Sequence, residues 1–237
     1  MNLTSILWAI AFGICPQRAG HSLFLGGQQM PIEARMAGMF AGFTIAGAYF
    51  AANRRLRAWR IPGGLTAIIL VGFVALMGVD GANAFLLDLR LPHLYAPNLS
   101  LRLATGLLTG LTMASFVLPT FSATVWQAGL EVSPIANGRQ LLVSIVCEAV
   151  YFVAARSGIG WLYYPVSLLA VLSVPLLIMV VVIVVVAPLL KCANQATRWR
   201  ELVPVAAASL LIAFVFLAAV SLVRYGLFGP GPLNMPM

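Results

Sequence analysis

The sequence predicts an all-α, polytopic transmembrane helical bundle of about seven helices, forming a single integral membrane domain over residues 1–237. Three observations predict it. Only 8% of the residues are charged and 62% are hydrophobic, against about a quarter and about half in a soluble domain. A mean hydropathy of +1.00 follows, so lipid solvates most of the chain. Several uninterrupted apolar runs reach the roughly 20 residues that cross a bilayer core as helix. Sustained strand alternation is absent, which sets aside a membrane β-barrel. No hydrophilic stretch is long enough for a separate soluble domain.

The apolar runs predict helices over 2–15, 34–52, 62–87, 101–126, 139–156, 163–190 and 202–225. The first is short for a span. Its missing basic start, with Pro16 after Cys15 and bulky Ile14 before it, argues against a cleaved leader and for a short first membrane helix. Pro175 and Pro188 are expected to tilt, kink or end the sixth helix. Pro204 sits in the first turn of the seventh, where its missing N–H costs little. The tail Gly229-Pro230-Gly231-Pro232 reads as a flexible end.

Charge sets the expected orientation. The net charge is +8, and much of it lies in short loops, where Arg and Lys mark the cytoplasmic side. The two loops are 53–60 and 191–200, with Arg54, Arg55, Arg57 and Arg60 in one and Lys191, Arg198 and Arg200 in the other. Strict alternation then puts the amino terminus inside and 16–33, 88–100 and 157–162 outside. A bacterial inner (plasma) membrane, multi-pass location is the expectation. The partner it implies is the lipid bilayer, and a membrane-complex subunit or homo-oligomer is a further possibility. Basic patches interleaved with aromatics are missing, so nucleic acid is not an expected partner. Trp59, Trp161, Tyr163, Tyr164, Trp199 and Tyr225 fall near interfaces and read as an aromatic belt.

Two helices echo each other. Arg35 is followed by Gly38 and Gly42, and Arg102 by Gly106 and Gly110. Small residues four apart make a flat stripe for close helix packing. Packing is the favoured reading of both stripes, and each runs up to an arginine at the outer mouth.

Ionisable groups in lipid are costly, so they usually mark a site. Cys15, His21, Glu33, Arg35, Asp80, Asn83 and Arg102 all approach the outer side under this topology. Asp80 lies roughly 10 Å below the outer end of its helix. It shares a helix face with Asn83, three residues on. The expected ligand-binding residues are Arg35, Asp80, Asn83, Arg102 and Gln17. Arg35 and Arg102 would hold an anionic group, oriented by Asp80 and Asn83. The structural alternative is snorkelling for the arginines and an ion pair for Asp80. Cys15 and His21, with Met30, Met36 and Met39 nearby, are the candidate soft-metal ligands; the alternative is an interfacial thiol and a loop imidazole. No catalytic residue and no cofactor is assigned. Glu148, mid-helix beside Cys147, calls for a partner on another helix. Cys15, Cys147 and Cys192 show no pair spacing that would suggest a disulfide framework.

The series Cys15-Pro16-Gln17, His21-Ser22, Gly27, Pro31, Glu33-Ala34-Arg35-Met36-Ala37-Gly38, Asp80-Gly81, Asn98 and Arg102-Leu103-Ala104-Thr105-Gly106 resembles an uncharacterised family of small prokaryotic membrane proteins, a domain of unknown function. The resemblance covers about 15–112, within a motif-bearing half at 1–126; the helices of 127–237 are additional. In that family's pattern a Cys-His stands where this chain has Cys15-Pro16. A Cys-x-Arg-Cys stands where it has Glu33-Ala34-Arg35-Met36. The resemblance implies a thiolate and imidazole metal site in the family, with three of its ligands changed here. The matches at Gln17, Arg35, Asp80, Arg102 and the glycines favour a hydrogen-bonded polar site over tetrahedral zinc.

Several classes are excluded. His21 and His93 both fall in loops, so a bis-histidine membrane cytochrome has no ligands. Phosphate-loop, Gly-x-Ser-x-Gly and His-Glu-x-x-His motifs are absent. Asp80 and Asp88 fall short of the repeated aspartates of a metal-dependent lipid phosphotransferase. The expected function is binding or passing a small anionic ligand, ion or lipid head group at an outward-facing site, or a subunit's role in a membrane complex. The alternative is an intramembrane enzyme acting on a lipid or isoprenoid, with Asp80 as general base or metal ligand.

Overall fold

A computed structural model describes residues 2–229, so all of the predicted tail beyond Gly229 lies outside the described residues. Seven α-helices form among them: α1 (Leu3–Phe12), α2 (Ala34–Ala52), α3 (Gly64–Asp88), α4 (Leu99–Val125), α5 (Gly138–Arg156), α6 (Tyr163–Leu189) and α7 (Val203–Phe228). Asn98 and Asn137 cap α4 and α5, accepting from Ser100 N at 2.7 Å and Gln140 N at 3.0 Å. These side chains satisfy N–H groups that the first helical turn leaves free. Pro188 lies in the last turn of α6, while Pro175 sits within a continuous helix.

Five helices, α3 to α7, are long and apolar enough to cross a membrane. With 19 residues α2 is as long as α5. It spends its composition on Gly and Ala because it lies at the centre, packed against α4, α5 and α6. Outer helices α3 and α7 keep most of their apolar surface exposed, as lipid-facing helices do.

The α2–α4 contact is the tightest in the bundle, and the glycine stripes cause it. A Cβ on Gly38 would strike Leu103 O, one on Gly106 would strike Arg35 O, and one on Gly110 would strike Met39 O. At Gly42 it would lie 2.6 Å from Leu107 O. The stripes interlock backbone to backbone, the geometry small-xxx-small spacing permits. Several hydroxyls of α4 bond within their own helix, Thr109 donating to Thr105 O at 2.9 Å and Ser115 to Leu111 O at 2.7 Å, while Ser122 donates across to Leu56 O at 2.6 Å. These back-bonds keep the hydroxyls of Thr109 and Ser115 paired in the apolar interior.

At one end of the bundle the basic loops meet. Trp59 N donates to Leu130 O at 3.2 Å and Gln127 N to Ala196 O at 3.0 Å. Trp126 is fully buried there, edge-on to Trp199 and with the Arg57 guanidinium 4.3 Å from its ring. Loops 53–60 and 191–200 therefore share a side, as the alternation of helices requires.

The opposite end carries two departures from expectation. First, α1 is not a span. At 10 residues it is roughly 15 Å long, half a bilayer core. Thr4 Oγ1 lies 3.4 Å from Tyr164 Oη, at the start of α6. Arg224, near the end of α7, donates to Phe12 O and Cys15 O. Both ends of α1 thus rest on the same end of the bundle, away from the basic loops. The expectation of an amino terminus on the basic-loop side is corrected.

Second, the outer segment 16–33, for which no helix or strand was expected, contains a β-hairpin, β1 (Ser22–Leu25) and β2 (Gln28–Glu33). Gly26 and Gly27 take φ of 58° and 77°. Two successive positive φ values make the two-residue turn whose twist suits a hairpin. Leu23, Leu25, Met30 and Ile32 are buried and Phe24 is exposed, so the hairpin plugs this end of the bundle. Gly26 N donates to Gly158 O at 2.8 Å. A side chain at Gly26 would strike the backbone of Gly160.

Candidate functional site

The hairpin, the preceding 15–21 segment, the first turns of α2 and α4 and the last turns of α3 enclose a cavity of about 270 Å³. Arg18, His21, Glu33, Arg35, Asp88 and Arg102 supply its ionisable lining. The α3 wall is Gly81, Ala84 and Phe85, and Phe85 is 61% exposed at the rim.

Two networks hold the wall. In the first, Glu33 closes the hairpin at the start of α2. It accepts from Arg18 N at 3.2 Å and Arg18 Nε at 3.1 Å, and its other oxygen lies 3.6 Å from His21 Nδ1. Burial alone would raise the Glu33 carboxyl. The polar contact with His21, the hydrogen bonds from Arg18 and the Arg18 charge outweigh it and bring the pKa down to about 2. Arg18 also reaches Asp88 at 3.3 Å, linking the hairpin to α3.

In the second, Arg35 pairs with Asp80. Asp80 is 1% exposed, and its second oxygen accepts from Tyr95 Oη at 2.9 Å. Partial burial and the adjacent Asp80 carboxylate push the Tyr95 phenol up, so it stays a donor. Asn83 Oδ1 accepts from Leu94 N at 2.7 Å and Tyr95 N at 3.3 Å, and Asn83 Nδ2 donates to Tyr95 O at 2.8 Å. The loop after α3 is thereby folded back over Asp80.

The predicted site residues divide accordingly. Arg35 and Arg102 line the cavity. Asp80 sits behind Arg35 with both oxygens engaged, and Asn83 is fully used in holding the loop. Gln17 is buried with φ 59°, its amide donating to Trp8 O at 2.9 Å and Pro31 O at 3.0 Å. It braces α1 against the hairpin, away from the cavity. Arg18, Asp88, Tyr95 and Phe85 were not among the predicted binding residues. Only folding of the loops brings them in, although Arg18 and Asp88 carry the local signal of charges at a helix boundary.

Cys15 and His21 both meet Glu33. Cys15 Sγ accepts the Glu33 N–H at 3.2 Å. Burial first, then the Glu33 carboxylate, push this thiol up to about 11. A neutral thiol already used as an acceptor is a poor metal ligand. The described residues include no group of three or more His, Cys, Asp or Glu side chains placed to hold a metal ion.

Arg102 stands apart. It is 6% exposed, and its side chain makes no hydrogen bond or ion pair among the described residues; its Nε is buried without a partner. Arg18 and Arg35 each have carboxylate partners in the same cavity.

Fold and composition together define a polytopic α-helical membrane protein with a charged cavity at one end. Residues 15–116 match the family described as predicted membrane protein DUF2085, which spans α2, α3 and most of α4. An uncharacterized protein of Methanocaldococcus jannaschii is 28% identical over 121 residues, covering 51% of this chain and 72% of that protein. No solved structure matches.

Proposed function

We propose that this membrane protein binds a small anionic group in the end cavity, and that the cavity opens on the outer face of a bacterial inner membrane. The observation that carries the reading is Arg102. A buried guanidinium that no carboxylate contacts directly is expensive, whereas a phosphate or carboxylate can take two parallel hydrogen bonds from it. Arg35 Nε is likewise buried and unpartnered. Arg102 and Arg35 are thus poised with donors to spare on one cavity.

The exposed ring of Phe85 at the rim favours a lipid head group over a free anion, since an acyl chain can continue along the apolar surface of α3. Arg54, Arg55, Arg57, Arg60, Lys191, Arg198 and Arg200 gather at the other end, which supports a cytoplasmic assignment for that end. An intramembrane enzyme using Asp80 as base is the weaker reading, because both Asp80 oxygens are held, by Arg35 and by Tyr95.

The test is thermal melting of the purified protein in neutral detergent. Short-chain phosphatidylglycerol, short-chain phosphatidylcholine and inorganic phosphate are titrated in turn. Ligand at 100 times its Kd stabilises by about 2.7 kcal/mol. Phosphatidylglycerol is expected to raise the Tm in a saturable way and phosphatidylcholine to leave it unchanged. Phosphate alone raising it as much would identify a free anion. Arg102→Gln should abolish the response; an unchanged response in that variant, or none to any anion, overturns the reading.

A further inference from the structure

Glu148 lies in the middle of α5, eight residues from Arg156 and nine from Arg139, so roughly 12–15 Å from either end of its helix. It is 2% exposed, and neither carboxyl oxygen has a hydrogen-bond partner. The helices around it bring no countercharge. Within α2 the charged residue is Arg35, in the first turn and seven residues above Gly42. In α4 it is Arg102, again in the first turn. The described α6 has no charged residue, its titratable groups being Tyr163 and Tyr164 at the outer start, and β1 has none. On α5 itself the neighbours are Cys147, next in the chain, and Tyr151, one turn on, whose hydroxyl donates to Val166 O at 3.2 Å.

The space for this carboxyl is made by the glycine stripe. A Cβ on Gly42 would lie 3.1 Å from Glu148 Oε1. The acid is therefore seated against the α2–α4 contact, at the most closely packed place in the bundle, beneath the charged cavity.

An ionised carboxylate buried with neither a cation nor a donor costs far more than the neutral acid. We infer that Glu148 is a proton-binding site in the membrane interior, distinct from the anion cavity. The bound species is a proton on the carboxyl, and its exchange would change the charge at the α2–α4–α5 junction by one.

The experiment uses the full chain in lipid nanodiscs. Infrared spectra should contain the carbonyl stretch of a neutral carboxylic acid at neutral pH. Glu148→Gln should lose that band, and alkali should remove it reversibly from the native chain. Dicyclohexylcarbodiimide gives a second readout. The acid O–H adds across one C=N bond to form an O-acylisourea. Acyl migration to nitrogen then leaves a stable N-acylurea, with nothing oxidised or reduced. Peptide mapping should find this adduct on Glu148, decreasing as pH rises. Absence of the carbonyl band at neutral pH overturns the proposal, whatever the reagent's access. Protection of Glu148 by sodium at constant pH overturns it in favour of a metal-cation site. Should Glu148→Gln fail to fold, the position of the adduct in the native chain decides.

Discussion

Arg35 in the first turn of α2 pairs with Asp80, two turns inside α3, and the Tyr95 hydroxyl closes the other side of the same carboxylate. One ion pair therefore joins the helix that follows the hairpin to the helix that precedes the folded-back loop. Removing one member strands the other.

Asp80→Ala should destabilise the protein by about 3–5 kcal/mol, the cost of leaving a buried charge unpaired. Arg35→Met combined with Asp80→Ala should cost less than the sum of the two. A double-mutant cycle in denaturant unfolding measures the difference; additive effects would mean that the pair contributes no coupling.

Glycine substitutions should separate packing from propensity. Gly106→Ala drives a methyl into Arg35 O, and overpacking of this kind costs about 1–3 kcal/mol. Gly78→Ala meets nothing within 4 Å. It should be neutral or stabilise by at most about 1 kcal/mol, since alanine is the better helix former. Melting temperatures of the two variants should move in opposite directions or differ clearly in size.

Acid should loosen the hairpin. The Glu33 pKa falls from 4.5 to about 2 on folding. A lowered folded-state value means stability that is fully present above pH 4.5 and is lost as pH falls towards 2. Protonation releases the contacts with Arg18 and His21. Glu33→Gln should be less stable at neutral pH and should show a flatter profile through that window, read from melting temperature against pH.

The native cysteines report sidedness. Cys192 is exposed in the loop after α6, whereas Cys15 is buried with its thiol held neutral. A membrane-impermeant maleimide should spare Cys192 in intact cells and modify it once the membrane is opened. Cys15 should stay unreactive in both until the protein is denatured. Labelling of Cys192 from outside would reverse the orientation proposed above.

Much of the bundle was legible from local sequence. The runs at 34–52 and 139–156 meet the observed α2 (Ala34–Ala52) and α5 (Gly138–Arg156) almost residue for residue. Apolar runs bounded by Arg, Asn and Gly report helices directly, because in lipid an unpaired backbone has no other way to satisfy its hydrogen bonds. The hairpin was also written locally. Gly26-Gly27 between Leu23/Leu25 and Met30/Ile32 is a turn signal within alternating apolar residues, but the polar Gln28 and Gln29 masked it.

The all-α membrane class, the glycine stripes and the gathering of basic loops on one side are readable along the chain. Each depends on composition or on spacing within a single helix. Long-range packing places α1 at the cavity end, sets Asn83 and Gln17 to brace backbone away from the cavity, and brings Tyr95 to Asp80. Those outcomes depend on where loops fold back. Arg102 makes the point most sharply. Its neighbours Arg18 and Arg35 capture the available carboxylates, and which of three arginines is left without a partner is a matter of geometry that no local pattern encodes.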